Sequence, residues 1–360
     1  VLADDQSREH VSPNEKYQED LFSIGISPGF EGGRLKLPPG AIQGQKIELA
    51  LQRLTTHVAH ITEFDNLAIP FRAVATNIVD GSEVILDHGN LGQAMRASMS
   101  VPSIFAAIEV DGQLLVDGGI VNNLPVSVAR QMGADILIVV DIGAPLRNRE
   151  EIGNILTVTD QLSRILTGRN VIASRDSLKE TDFLVSPDLG DITSAQFDRS
   201  SEAIPKGEYA ARQMADRLGT LSLDSSDYET YLAGLNHISI EDRTVKRISL
   251  NNESSINDDV LKHRLSIKEG ETLNLDRLER DIGQIHGVGA FEKVGYDLVQ
   301  NDAGVEVMVY ATPKSWGPNY LHFGLDMEGD LSGDTATNIV LGYSRSEVNQ
   351  WAGNWTTLLQ

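Results

Sequence analysis

The stretch AIEVDGQLLVDGGIVNNLPVSVARQMGADILIVVDI, residues 107–142, decides the fold of the first half of the chain. Two short apolar runs flank Asp111-Gly112, a dipeptide that favours the type I′ turn of a β-hairpin. The second run ends at Asp117, and a helical pattern with proline and glycine suited to its two ends follows. The next run, ILIVVDI, is continuously apolar, which is typical of a parallel strand covered on both faces. This order of strand, turn, helix and strand predicts an α/β layer architecture.

The regions on either side fit this architecture. Residues 40–60 have apolar positions at helical spacing, and IPFRAVATNIV, residues 69–79, is rich in branched side chains and predicts a strand. EVILD follows a turn signal and predicts its antiparallel partner. Further along, residues 150–185 predict a long helix, DFLVSP a strand and residues 208–218 another helix. We therefore assign residues 1–220 to an α/β unit with a mixed sheet and flanking helices.

A second unit is predicted at residues 243–313, after a polar, Ser- and Asp-rich stretch at 221–242 that we interpret as a linker. VKRISL alternates with period two and predicts a strand. INDDVLKHRL and NLDRLERDIGQI predict two helices, and FEKVGYDLV and VEVMVYA predict two more strands. The β-α-α-β-β order indicates a small α+β domain.

The last part of the chain, residues 314–360, alternates between apolar and other residues. Leu321, Phe323, Leu325 and Met327 would share one face of a strand, and a second and third alternating segment follow. All three tryptophans of the chain lie here. Alternating strands with aromatic residues are what the wall of a membrane β-barrel requires, but a water-soluble antiparallel sheet would alternate as well. On these residues alone, both interpretations stay open.

Composition narrows the class of function. The 360 residues carry 30 Lys and Arg against 52 Asp and Glu, a formal charge of -22. Such a chain repels nucleic-acid phosphates, since non-specific binding requires clustered cations. The sequence has no cysteine, which excludes disulfides, thiolate metal sites and a cysteine nucleophile. Val1 is not a start methionine and TTLLQ ends inside a strand-like stretch, so we expect the chain to be part of a longer protein.

Residues 75–142, which contain RASMSVP and the D-G-G motif, resemble the second half of patatin-like phospholipases. The resemblance runs through residues 40–220, with its strongest part at 70–142. It implies a Ser–Asp dyad that cleaves acyl esters, with Asp117 at the family's catalytic aspartate and Gly118 and Gly119 completing the motif. In that family the serine lies upstream in a G-x-S-x-G turn, and a glycine-rich oxyanion loop precedes it. We expect both of these segments to be absent from this chain.

The second unit resembles a polypeptide-transport-associated (POTRA) domain, with HGVGAFEKVGYDLV at 286–299 carrying the likeness. The tail resembles the first strands of an outer-membrane barrel of the surface-antigen kind. The order of the three parts resembles that of patatin-type autotransporters of type V secretion. This resemblance implies a location at the Gram-negative outer membrane, with the patatin part periplasmic, cell-surface or secreted, and a phospholipid or other lipid ester as substrate.

One serine does stand in a literal G-x-S-x-G motif, Ser27 in GISPG. A nucleophile elbow uses the N–H of the residue after the serine as an oxyanion donor, but Pro28 has no N–H. The elbow must also lead into a helix, whereas the following FEGGRLKLPPG is rich in glycine and proline. We therefore interpret Ser27 as a loop serine and a decoy.

Simpler structural roles are predicted for the other candidates. Those considered are Ser98 and Ser100 near a helix end, His57 and His60 at i, i+3 as a metal pair, Asn122 and Asn123 after the D-G-G motif, and Arg96 as a phosphate ligand. The serines are expected to pack or cap, the asparagines to serve as turn and cap residues, and Arg96 to form an ion pair on a helix surface. The histidines lack an E-x-x-H pattern and a third ligand, so no metal site is predicted.

Three functions follow from these observations. The first is a secreted lipid acyl hydrolase that needs no cofactor and is inactive as the present chain. The second is an outer-membrane assembly or secretion factor with a non-catalytic patatin-like binding module. The third is a soluble intracellular esterase with an unrelated C-terminal domain. The sequence indicates neither the oligomeric state nor the lipid head group.

Overall fold

The computed structural model describes Lys16 and residues 27–40, 42–102, 104–143, 145–192, 196–235, 244–301, 304–329 and 335–359. Its α-helices are Gln45–Thr55 (α1), Leu91–Ser98 (α2), Gly119–Asn122 (α3), Val126–Gln131 (α4), Ile155–Asp176 (α5), Ser200–Arg212 (α6), Ala215–Leu218 (α7), Ser225–Leu235 (α8), Asp258–Lys262 (α9) and Leu275–His286 (α10). Its strands are Gly29–Glu31 (β1), Arg34–Lys36 (β2), Ala73–Asn77 (β3), Glu83–Leu86 (β4), Ile108–Val110 (β5), Gln113–Asp117 (β6), Ile138–Val140 (β7), Phe183–Val185 (β8), Val245–Asn252 (β9), Phe291–Asn301 (β10), Gly304–Pro313 (β11), Asn319–Gly329 (β12), Thr335–Arg345 (β13) and Trp355–Leu359 (β14).

The first unit contains an antiparallel sheet of order β4-β3-β6-β5 and a parallel pair, β7 and β8. The expected mixture of strand orientations is thus present, distributed over two sheets. Asp111 and Gly112 both have positive φ, 51° and 73°, as the predicted type I′ turn between β5 and β6 requires. The antiparallel pairing of β3 with β4 and of β5 with β6 confirms the two predicted hairpins. The antiparallel pairing of β3 with β6 brings Ala75 opposite Asp117.

The prediction that ILIVVDI is covered on both faces was wrong. Leu137 and Val139 pack against the helical side, where Leu124, Val126 and Val171 form a small core. The alternate residues Ile138 and Val140 are 57% and 54% exposed. Among the described residues β7 pairs with β8 alone, and no element covers its second face. The apolar pattern is that of a strand with both faces covered, but the described part of the chain covers only one face of β7.

The second unit has the predicted β-α-α-β-β order, β9-α9-α10-β10-β11. Its sheet has the order β10-β11-β9, with β11 antiparallel to β10 and parallel to β9. Leu278, Ile282 and Ile285 of α10 are fully buried against Val307 and Val309 of β11. Spaced by three and four positions, they form the apolar stripe that an amphipathic helix lays on a sheet. The predicted linker contains a helix of its own, α8.

The last strands, β12, β13 and β14, form an antiparallel up-and-down sheet that the β1–β2 hairpin extends at the β12 edge. The pairs Phe323↔Leu341 and Leu341↔Leu359 lie on one face, which we call the outer face. The side chains of its residues Phe323, Ile339, Leu341, Trp355 and Leu359 are exposed, while polar His322, Ser344 and Ser346 on the opposite face are buried. The apolar face of this sheet is therefore the open one.

Candidate active site

Asp117 is the last residue of β6, and its backbone is held on two sides. Its N–H donates to the Ser100 carbonyl at 2.9 Å. Its own carbonyl accepts from Thr76 Oγ1, on the neighbouring strand β3, at 2.9 Å. These bonds, together with the pairing to Ala75, place the carboxylate at the end of the sheet where α3 begins. The strand-to-helix position predicted for this aspartate is therefore built by its neighbours in the sheet.

The Asp117 carboxylate lies in a partly buried environment. The Gly119 N–H donates to Asp117 Oδ1 at 2.7 Å, and no described side chain donates a hydrogen bond to this carboxylate. Burial raises the pKa of Asp117, and the hydrogen bond from Gly119 counteracts part of that rise. A carboxylate in such a setting accepts a proton more readily than a solvated one, which is the property that a general base requires.

The two glycines of the motif are needed because neighbouring groups lie close to them. A Cβ on Gly118 would lie 2.2 Å from the Val74 carbonyl oxygen. A Cβ on Gly119 would lie 2.7 Å from Asn123 Oδ1 and 2.9 Å from Asp117 Oδ1. Neither glycine has a positive φ, so space rather than backbone conformation requires a residue without a side chain at both positions.

Asn170 of α5 supports this turn and was missed in the sequence analysis. Its Nδ2 donates to the Gly119 carbonyl at 3.0 Å and to the Ile120 carbonyl at 3.2 Å. Its Oδ1 accepts from the Asn123 N–H at 2.9 Å. Asparagine is a poor helix former, so an asparagine in the middle of a 22-residue helix was a signal for such a role.

The prediction of a surface ion pair for Arg96 was wrong. Arg96 is 2% exposed. It donates from Nη1 to Ser100 Oγ and from Nη2 to the Gln43 carbonyl, and its guanidinium lies 5.0 Å from the centre of the Phe105 ring. Buried arginine requires fixed acceptors, and the backbone carbonyl and the hydroxyl supply them here. Arg96 thereby fixes the segment that leads to Ser100, the acceptor for Asp117.

The two predicted packing serines lie at the end of α2. Ser98 Oγ donates to the Val74 carbonyl at 2.7 Å, and Ser100 is fully buried. Both side chains are engaged with backbone or with Arg96. Their hydroxyls therefore serve to join α2 to the sheet.

Ser27, the serine of the GISPG motif, lies far from the D-G-G turn in sequence and contacts the C-terminal sheet. Its Oγ lies 2.9 Å from His322 Nδ1, and the other nitrogen of that ring lies 2.6 Å from Ser344 Oγ. The imidazole is thus oriented by a hydroxyl, where catalytic triads use a carboxylate. The residues after Ser27 form the β1–β2 hairpin, whereas a nucleophile elbow enters a helix.

The remaining candidates occupy ordinary structural positions. His57 lies in a single 3-10 turn after α1, and both it and His60 are exposed. Asn122 Nδ2 donates to Glu83 Oε1 at 2.6 Å. Within the described ranges, no three His, Asp or Glu side chains lie close enough together to hold a metal ion.

Comparison with known families finds one match in each of the two units. A family model described as patatin-like phospholipase matches residues 10–130, and the POTRA model, described as surface antigen variable number repeat, matches residues 243–311. The chain joins a patatin-like segment to a POTRA domain. The first match contains Asp117 and both glycines, and the second contains β9, α9, α10 and β10 completely.

Individual relatives match parts of this chain. An uncharacterized NTE family protein of Mycobacterium tuberculosis is 36% identical over 115 residues, 31% of this chain and 31% of the relative. The patatin-like phospholipase domain-containing protein 7 of Mus musculus is 38% identical over 84 residues, 23% of this chain and 6% of that protein. The chain thus spans about a third of the length of the mycobacterial relative.

A solved structure also aligns with part of the chain. BamA from Haemophilus ducreyi lacking POTRA domains 1–3 aligns with a TM-score of 0.26 and 14% identity, over 32% of this chain and 21% of that one. Separately, none of the described helices combines the length and the apolar composition of a membrane-spanning helix.

Proposed function

We propose that the full-length protein is a lipid acyl hydrolase, a phospholipase A or esterase, in which Asp117 is the general base of a Ser–Asp dyad. The observation that carries the proposal is the partly buried Asp117 carboxylate at the end of β6, fixed by Gly119 and raised in pKa by burial. Its position inside the patatin-like match supports the same role. Ser27 is not the nucleophile in this proposal.

The nucleophilic serine belongs, in this proposal, to a G-x-S-x-G segment that precedes Val1 in the full-length protein. The open face of β7 supports the need for a further apolar element, since Ile138 and Val140 are exposed there. The strand that leads through a nucleophile elbow into a helix is apolar, so it would fit the open face of β7. The present chain is accordingly expected to be inactive.

The reaction follows from the carboxylate. Asp117 accepts the proton of the serine hydroxyl while the serine oxygen attacks the ester carbonyl, and the tetrahedral intermediate collapses to an acyl-enzyme. The leaving alcohol takes the proton back from Asp117. Water then attacks the acyl-enzyme with Asp117 again as base, and Asp117 returns that proton to the serine oxygen as the fatty acid leaves. The step needs no metal or cofactor, because proton transfer and acyl transfer account for every bond changed.

The domain boundaries of the sequence analysis, 1–220, 221–242, 243–313 and 314–360, are part of the proposal. So is the assignment of 314–360 to the start of an outer-membrane barrel in an autotransporter of type V secretion. The outer face of β12–β14 supports it, because its apolar side chains are exposed while the polar face is covered, the reverse of a soluble sheet. The patatin-like segment would then be exported and anchored at the outer membrane.

The test is the activity of the full-length protein on a short-chain ester and on a phospholipid vesicle. We expect Asp117→Asn to lower kcat by about 100-fold or more, the usual contribution of a positioned base. Asp111→Asn is the matched control, since it makes the same chemical change six residues away in the exposed turn between β5 and β6, and it should retain full activity. Undiminished turnover in Asp117→Asn would falsify the assigned role.

The second candidate is a secretion or assembly factor whose patatin-like segment binds lipid without turnover. The POTRA match favours a role in outer-membrane transport. If the full-length protein binds phospholipid vesicles but hydrolyses neither substrate, this candidate replaces the hydrolase.

A further inference from the structure

Helix α1 of the patatin-like segment lies on the outer strand of the POTRA sheet. The Gln45 side chain makes a two-point contact with Val294 of β10: Val294 N–H donates to Gln45 Oε1 at 2.9 Å, and Gln45 Nε2 donates to the Val294 carbonyl. β10 is an edge strand of this sheet, and Val294 directs its backbone groups away from β11. The glutamine amide thus takes the place that a neighbouring strand would occupy, and both partners are buried.

A buried acidic residue follows one turn later on α1. Glu48 accepts from Tyr310 at 2.8 Å and pairs with Lys293 Nζ at 2.7 Å. Gln52, a further turn along, donates to the same Tyr310 hydroxyl at 2.8 Å. Three successive polar positions of one helix face therefore meet strands β10 and β11. A buried carboxylate is tolerated only when it is paired and hydrogen-bonded, and the POTRA side chains supply both partners.

A second helix of the patatin-like segment reaches the same strand. Asn90 is the N-cap of α2, where its Oδ1 accepts from the Gln93 N–H at 3.0 Å. Its Nδ2 donates to Asp297 Oδ1, three residues after Val294, at 2.8 Å. The N-termini of both α1 and α2 are therefore attached to β10. Two attachment points fix the orientation of the patatin-like segment relative to the POTRA domain, whereas a single point would allow rotation.

The contact is connected to the candidate base by a short run of hydrogen bonds. Gln45 directly follows Gly44 and Gln43, and the Gln43 carbonyl accepts from Arg96 Nη2 at 3.1 Å. Arg96 Nη1 donates to Ser100 Oγ, and the Ser100 carbonyl accepts the Asp117 N–H at 2.9 Å. Gly44 packs directly on the guanidinium, since a Cβ there would lie 2.4 Å from Arg96 Nη2.

We propose that the POTRA domain holds the Asp117 segment in place through this contact, and that Gln45 and Glu48 are positioning residues for Asp117. The interaction surface is β10 of the POTRA domain, and its partner is helix α1 of the same chain. Energetic coupling along this path of bonds is measured at both of its ends. The effect of the coupling on catalysis rests on the proposed function, whereas the coupling itself does not depend on that function.

The experiment is amide hydrogen exchange by NMR on the 360-residue chain and its Gln45→Ala variant. Two amides report on the two ends of the path: Val294 N–H, which bonds Gln45, and Asp117 N–H, which bonds the Ser100 carbonyl. We expect both to exchange about fivefold faster or more in the variant, because each amide opens when its local structure loosens. A purely local role for Gln45 would accelerate Val294 alone.

Two controls separate coupling from unfolding. Leu54→Gln alters a 68% exposed position of the same helix and should change neither amide. The amide of Val307, at the centre of the POTRA core, should exchange at the same rate in all three proteins. Unchanged exchange at Val294 in Gln45→Ala would overturn the docking contact, and unchanged exchange at Asp117 would overturn the positioning role.

The same variant tests the catalytic consequence in the full-length protein. A displaced base slows the chemical step without altering lipid binding, so we expect Gln45→Ala to lower kcat severalfold and to leave KM unchanged. A failure of the proposed function would be recognised separately, because Asp117→Asn would then be as active as the wild-type protein. An unaltered kcat in Gln45→Ala, beside an inactive Asp117→Asn, would show that docking does not position the base.

Discussion

At the scale of single residues, Asp117 combines a chemical use with an energetic cost. Its carboxylate is partly buried, with a single described donor, the Gly119 N–H, to offset the loss of water. Ionising such a group costs free energy in the folded state, and burial raises its pKa for that reason. Residues held in this way are typical of functional sites, because packing alone would favour an uncharged side chain.

We expect Asp117→Asn to stabilise the chain at neutral pH by about 2 °C in Tm, since the amide keeps the acceptor for Gly119 without the buried charge. The folded-state pKa of Asp117 is raised, so the wild-type protein loses stability as pH increases through that value. The advantage of the variant should therefore be present at pH 7.5 and vanish near pH 4. Thermal unfolding of both proteins at the two pH values is the measurement. An equal advantage at pH 4 would show that the charge is not the cause.

Gly118→Ala should be destabilising by about 1–3 kcal/mol, because the added Cβ would lie 2.2 Å from the Val74 carbonyl oxygen and would force β6 and β3 apart. Gly153→Ala is the matched control, since nothing lies within 4 Å of a Cβ at that position. Urea denaturation of the two variants checks the difference. Equal stability would contradict the close packing of the D-G-G turn.

At the scale of elements, the POTRA domain contains a pH-sensitive helix end. His286 is the last residue of α10, and burial, with Lys314 as a second cause, lowers its pKa to about 4. In the unfolded chain a histidine titrates near pH 6.5. The folded state therefore binds the proton less well, and the stability present above pH 6.5 is lost progressively as pH falls toward 4.

We expect the free energy of unfolding of the POTRA domain to fall by about 1 kcal/mol per pH unit across this range, and His286→Gln to remove most of that slope. The pH slope is measured by urea denaturation between pH 4.5 and 7, with hydrogen exchange of the Val307 amide as the probe of the POTRA core. His263→Gln, at an exposed position beyond α9, is the control and should keep the wild-type slope. An identical slope in all three proteins would assign the pH dependence to other groups.

At the scale of the whole molecule, the outer face of β12–β14 is the feature that most restricts where the protein can reside. Phe323 and Leu341 form a cross-strand pair on that face, and both are exposed. In the proposed barrel this face contacts lipid, where a lysine costs about 2–4 kcal/mol near the middle of the bilayer. The formal charge of -22 makes attraction to an anionic surface unfavourable, so membrane contact has to come from apolar burial.

We expect Leu341→Lys in the full-length protein to reduce the amount of folded, protease-resistant protein in the outer-membrane fraction severalfold. Gln350→Lys introduces the same charge in the exposed turn between β13 and β14 and should have no effect. Equal amounts for the two variants would indicate a soluble sheet and would contradict the barrel.

The sequence by itself determined the local elements. The I′ hairpin at Asp111-Gly112, the strand ending at Asp117 and the β-α-α-β-β order of the POTRA domain follow from turn chemistry and from apolar periodicity, which act between residues a few positions apart. Alternation along β12 and β13 likewise assigned the residues to two faces. It left open which face meets solvent, because both a barrel and a soluble sheet alternate.

The tertiary structure decided the rest. In the folded chain Arg96 is buried and Asn170 hydrogen-bonds the backbone of the D-G-G turn. One face of β7 is left open. The Gln45 contact with Val294 joins residues 249 positions apart. No local pattern encodes such pairs, because a glutamine on a helix has the same propensity whether it meets water or the edge of a distant sheet. Which of the two it meets is settled only when the separate units pack and every buried polar group has to find a partner.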